Sequence, residues 1–130
     1  MDRLPRILLV SPDLMIASRL AGLARGRADI HTIRSLDAMI QGSPCDLVLL
    51  DLQASTGDPA MLIPRIRGLA AAPQPEGEAT DAGRSARVIA FGPHVAKPLL
   101  DAARAAGADD VVSRGELLGG FAALVDRWCG

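Results

Sequence analysis

The sequence predicts an α/β domain, a five-stranded parallel sheet covered by helices on both faces, and three observations carry that prediction. Asp46-Leu47-Val48-Leu49-Leu50-Asp51-Leu52 holds four consecutive large apolar residues between two aspartates, and a strand without polar alternation is one buried on both faces, as a central parallel strand is. Ile7-Leu8-Leu9-Val10 and Val88-Ile89-Ala90-Phe91 repeat the pattern. Between these runs lie segments of helical spacing opened by cap residues, so strand and helix alternate along the chain.

Ile7–Val10, bounded by Arg6 and Ser11, is the first strand. Ser11-Pro12-Asp13 then reads as a helix start, with Ser as N-cap, Pro at the first helical position and Asp in the first turn. The helix carries Leu14, Met15, Ala17, Leu20, Ala21 and Leu23 at three- and four-residue spacing and ends near Arg25-Gly26. Ala28–Ile33 is a weaker, alternating strand. Ser35 caps a short helix through Met39 and Ile40, stopped by Gly42-Ser43-Pro44, and the buried strand 46–52 follows. Asp58-Pro59 repeats the cap-plus-proline signature and opens a helix through Met61, Leu62, Ile66 and Leu69, with Pro64 still near its start. After the strand Val88–Phe91, a helix with Val95, Leu99, Leu100, Ala103 and Ala106 on one face runs to Gly107. Asp109–Val112 is the short last strand. Ser113 and Glu116 form a capping box for a final helix with the stripe Leu117, Leu118, Phe121, Leu124, Val125 and Trp128.

Strand and helix thus alternate five times, and right-handed crossovers turn that into a three-layer αβα sandwich. The order 2-1-3-4-5, the flavodoxin-like solution, sets the carboxyl ends of strands one and three side by side. Ser11-Pro12-Asp13 and Asp51 therefore share one crevice, where open α/β sheets place their sites. Residues 1–130 read as one domain, with one inserted flexible loop at about 70–87. That polar, proline- and glycine-bearing stretch exceeds the usual connection of roughly 4–6 residues and reads as a tolerated surface insertion.

Composition narrows the function. Of 130 residues, 49% are apolar and 22% charged, an ordinary globular balance. A net charge of -1 and 2% aromatics supply neither a basic face nor stacking platforms, which argues against nucleic acid as a partner. No stretch has the length of a membrane span or the pattern of a signal peptide, so the cytoplasm is the expected compartment. Cys45 and Cys129, far apart and without a C-x-x-C or a ligand-spaced histidine, read as reduced thiols.

The order of the three apolar strands, Asp51 at the end of the third, and Ala105-Ala106-Gly107-Ala108-Asp109-Asp110-Val111 before and into the last resemble the receiver domain of two-component response regulators over essentially the whole chain. The resemblance implies a phosphoacceptor at Asp51 and a bound magnesium ion, because joining a phosphate donor to a carboxylate brings two anions together and needs a divalent cation between them. It also implies an acidic pair after strand one, a hydroxyl after strand four, and a lysine and an aromatic at strand five. Ser11 and Pro12 stand where the acidic pair belongs, with Asp13 one position late. Gly92, followed by Pro93, stands for the hydroxyl residue, Arg114 for the lysine, and Val111 for the aromatic. Only Asp51 matches. Arg114 keeps a positive charge and is expected to pair permanently with Asp51.

The reading that follows is a pseudo-receiver: a receiver-like signalling protein acting as a phosphorylation-independent protein–protein interaction module, with no cofactor and no metal. Its partner, of unknown identity, would meet the face of the fourth helix, fifth strand and last helix, where Lys97, Asp101, Arg104, Asp110 and Arg114 are candidates. The alternative is an atypical phosphoacceptor modified on Asp51 by a histidine kinase, with Asp13, Asp51 and water holding magnesium. The two differ in magnesium binding, and self-association is open to either. A third reading, a small flavodoxin-like enzyme, has no Gly-rich phosphate loop and no G-x-S-x-G elbow behind it. His31 and His94 are lone histidines, so the chain is expected not to be an enzyme.

Overall fold

The structure, a computed structural model, describes residues 4–35, 45–53, 58–70 and 87–129. The elements follow one another as β1 (Arg6–Val10), α1 (Leu14–Ala24), β2 (Asp29–Ile33), β3 (Leu47–Asp51), α2 (Pro59–Ala70), β4 (Arg87–Gly92), α3 (Lys97–Ala105), β5 (Asp110–Ser113), α4 (Arg114–Gly119) and α5 (Phe121–Cys129). The five strands form one parallel sheet in the order β2-β1-β3-β4-β5, as expected. The helix expected at 35–40 and nearly all of the expected loop at 70–87 lie outside the described residues.

Strand periodicity sorts the core into two layers, because successive side chains leave a strand on opposite faces. Leu8, Val10, Val48, Leu50, Val88, Ala90 and Val111 face Leu62, Ile63 and Ile66 of α2 and Ala103 of α3. Ile7, Leu9, Leu47, Leu49, Ile89, Phe91 and Val112 face Ile16, Leu20 and Ala24 of α1, Leu117 of α4, and Phe121, Val125 and Trp128 of α5. A run such as Leu47–Leu50 serves both layers at once, which is why it has no polar alternation.

Several helix expectations need correction. Asp13, not Ser11, is the N-cap of α1, accepting from the amides of Met15 and Ile16, and the helix starts at Leu14. Its buried stripe is Ile16, Leu20 and Ala24, while Leu14 and Met15 in the first turn are exposed. At 3.6 residues per turn these two lie off the face that repeats at 16, 20 and 24. Met61 and Val95 are exposed as well. Gly26 and Gly107 follow the ends of α1 and α3 with φ of 77° and 101°, the left-handed conformation that lets the chain leave a helix. The last helix is two: α4 ends at Gly119, Gly120 caps it, and the chain restarts as α5. The paired glycines lower helix propensity where the direction changes. The Asp58-Pro59 start of α2 holds, with the Ala60 amide on Asp58 Oδ1.

Candidate functional site

The crevice is built from the turns that follow β1, β3, β4 and β5. Asp51 is the last residue of β3, in register with Phe91 of β4, and only 2% of it is exposed. Ser11, also 2% exposed, leaves β1 with its amide on the Ile33 carbonyl, extending the ladder to β2 by one bond. That bond aims its side chain across the sheet edge. Ser11 donates its hydroxyl to Asp51 Oδ2 at 2.7 Å and accepts the Asp13 amide at 3.1 Å. The Gln53 amide donates to Asp51 Oδ1 at 3.1 Å, closing the turn after β3.

Asp13 uses both carboxylate oxygens. Oδ1 receives the Met15 and Ile16 amides at 2.9 and 3.3 Å, and Oδ2 receives Nη2 of Arg114 at 2.6 Å. The Ile16 amide, then the Met15 amide and the Arg114 guanidinium, hold its carboxyl below the usual aspartate range against an opposing effect of burial. Arg114 pairs with Asp13, 101 residues away, rather than with Asp51 as expected from charge alone. Its position is set by Ser113, whose side chain and backbone exchange bonds with Glu116 in the expected capping box.

Gly92 ends β4 beside Ser113 of β5. A methyl group at Gly92 would sit 3.7 Å from both Leu100 Cδ2 and Leu52 Cβ, ordinary contact with apolar neighbours, so the missing side chain is not enforced by crowding. Pro12 and Pro93 occupy the turns beside these positions, half-buried. The crevice thus gathers Ser11, Asp13, Asp51, Gly92 and Arg114, as the topology predicts.

The residues present do not fit magnesium. That ion asks for near-octahedral oxygen donors, usually with one or two carboxylates. Here Asp51 takes a serine hydroxyl on one oxygen, and Asp13 is committed to two helix amides and a guanidinium. Among the described residues no group of three or more His, Cys, Asp or Glu side chains is gathered for a metal.

The expected partner face divides. Lys97, Asp101 and Arg104 are exposed on α3, the last two paired with each other at 3.4 Å. Asp110 instead accepts from Trp128 Nε1 at 2.9 Å and from Arg127, which ties β5 to α5. Arg114 is taken by Asp13. The sequence reading missed these ties, and also Arg67, which joins α2 to Asp109 and to the Gly107 carbonyl. Their only sequence trace is the aspartate pair 109–110. Cys45 and Cys129 are free thiols; burial, then Asp46, pushes both above their ordinary range, with Arg87 opposing at Cys129. No helix among the described residues is long and apolar enough to cross a membrane.

No family model matches the sequence and no curated protein matches it. Solved structures do. The receiver domain of the TMAO respiratory response regulator TorR aligns over 95% of this chain and 94% of its own, with a TM-score of 0.69 and 19% identity. The fold is a receiver fold. A signal receiver domain from Bermanella marisrubri aligns over 98% of this chain and all of its own, at TM-score 0.68 and 16% identity. Full-length FixJ from B. japonicum aligns over 95% of this chain but 57% of its own, at TM-score 0.68 and 18% identity. At such identities the likeness establishes the receiver fold, and the chemistry rests on the residues of this crevice.

Proposed function

We propose that this domain is a signalling module of receiver fold that binds a protein partner without phosphorylation and catalyses no reaction. The observation that carries the reading is the Asp13–Arg114 pair. In the place where a phosphoryl transfer would need a metal ion held by carboxylates, Asp13, which is linked to Asp51 through Ser11, is neutralised by an internal cation. The lost acidic pair, the Gly92 position and the absence of a nucleotide or nucleophile motif support the same reading. The partner is a protein, not nucleic acid or membrane, met in the cytoplasm; Lys97, Asp101 and Arg104 are the candidate face residues that stay accessible.

The test is to expose the purified protein to acetyl phosphate with magnesium and read intact mass, together with amide NMR shifts at Gln53. We expect no adduct of about 80 Da, the mass of one phosphoryl group, and no magnesium-dependent shift. An adduct that disappears in Asp51→Asn would overturn the reading and establish the alternative, a phosphoacceptor served by a histidine kinase, for which the buried Asp51 at the end of β3 is the supporting observation.

A further inference from the structure

The turns after β1 and β5 are joined at the carboxyl end of the sheet. With β3 and β4 intervening, these strands lie about three strand spacings apart, roughly 14 Å, and the Asp13–Arg114 bond closes that span between the starts of α1 and α4, which share one face of the sheet. Each end is anchored on a helix start: Asp13 caps α1, and Arg114 follows the Ser113–Glu116 box of α4. The polar contacts form a continuous series from surface to interior. Arg114 bonds Asp13, the Asp13 amide bonds Ser11 Oγ, and Ser11 Oγ bonds Asp51. Exposure falls along it, from 34% for each member of the ion pair to 2% for Ser11 and Asp51.

We propose that the Arg114–Asp13 pair is a latch across the mouth of the crevice: closed, it holds Ser11 over Asp51 and keeps that carboxylate from solvent; open, it exposes Asp51. An ordinary surface ion pair would link two side chains and nothing beneath them. This one positions the turn whose serine covers the buried acid. Its partial exposure also makes it breakable, since pairs in contact with water are weakened by salt and by competing ions. The latch is a property of the geometry and does not depend on whether Asp51 is ever phosphorylated.

Labelling with a water-soluble carbodiimide and an amine nucleophile, mapped by peptide mass spectrometry, tests it. The exposed Asp29 serves as the internal reference. In the unaltered protein Asp51 should label far more slowly than Asp29. Arg114→Gln and Asp13→Asn, the latter keeping a side-chain acceptor for the helix amides, should each raise the Asp51 rate relative to Asp29 by roughly tenfold or more, as expected for a shifted local opening. An unchanged ratio in both folded variants, or an Asp51 that labels as fast as Asp29 without substitution, would overturn the latch. If neither variant folds, the unaltered protein is labelled at rising salt: an increasing ratio supports the latch and a flat one refutes it. No phosphoryl donor is used, so this outcome is separate from that of the acetyl phosphate test.

Discussion

The two ends of the sheet use aspartate in different ways. At the amino end, Asp46 Oδ2 receives the Arg6 amide at 2.8 Å and Asp109 Oδ2 receives the Val88 amide at 2.7 Å. Each of these carboxylates caps the backbone of a neighbouring strand, and Asp109 also holds Arg67 at 3.2 Å. At the carboxyl end, Asp51 and Asp13 take amides of a turn and of a helix start, Gln53, Met15 and Ile16, rather than of strands, and add the side-chain donors Ser11 and Arg114. The amino end is therefore part of the ladder, and loss of an acid there leaves a strand amide without its acceptor. The carboxyl end is an assembly laid over a finished ladder, which substitutions can open while the strands stay paired. Acidic residues alone do not mark a site; what they bind does.

The largest break in this comparison should come from Asp109→Ala. It strands the part-buried Val88 amide and frees Arg67, and should cost on the order of 2–3 kcal/mol in denaturant unfolding. A loss below half a kcal/mol would remove the distinction between the two ends. Ser11→Ala should cost less, about 1–2 kcal/mol, because one oxygen of the buried Asp51 loses its hydroxyl donor. Combined with Asp51→Asn, it should show coupling, since the two substitutions remove one contact; strictly additive losses would mean that the Ser11–Asp51 bond contributes nothing.

The smallest effect is a pH dependence at Asp13. Its carboxyl is held below the ordinary aspartate value of 3.8 in the folded chain. A depressed folded pKa gives stability that is present above the unfolded value and lost as pH falls through the folded one. The unaltered protein should therefore exceed Asp13→Asn in thermal stability at neutral pH, and the gap should close as the pH is lowered beneath the unfolded value. A gap that persists in strong acid would show that the substitution acts through something other than the charge.

Most of the fold was legible because a parallel sheet covered on both faces writes itself as apolar runs. Leu47–Leu50, bounded by aspartates and loop residues, is too short for a buried helix and so reads as a strand, and the alternation of runs and capped segments implies the crossovers. Helix faces were less legible. Leu14 and Met15 are as apolar as Ile16 and Leu20, and only the docking of the 16-20-24 face on the sheet leaves them outward. The break at Gly119-Gly120 was hidden by a stripe that continues in phase across it. The members of the crevice were readable from topology, but their bonds were not. Arg114 pairs with Asp13 across a turn geometry that includes the Ser11 amide bond and the Ser113 capping box, and the Asp13–Arg114 pairing has no counterpart in residue spacing.

The separation of 101 residues between Asp13 and Arg114 also bears on how the molecule assembles. A contact that spans nearly the whole chain carries a large loop-closure cost until β5 has joined β4. Arg114→Gln is therefore expected to speed unfolding and leave the folding rate unchanged, and a slowed folding rate would refute this late placement. On that expectation the intact crevice reports that β1, β3, β4 and β5 are already side by side.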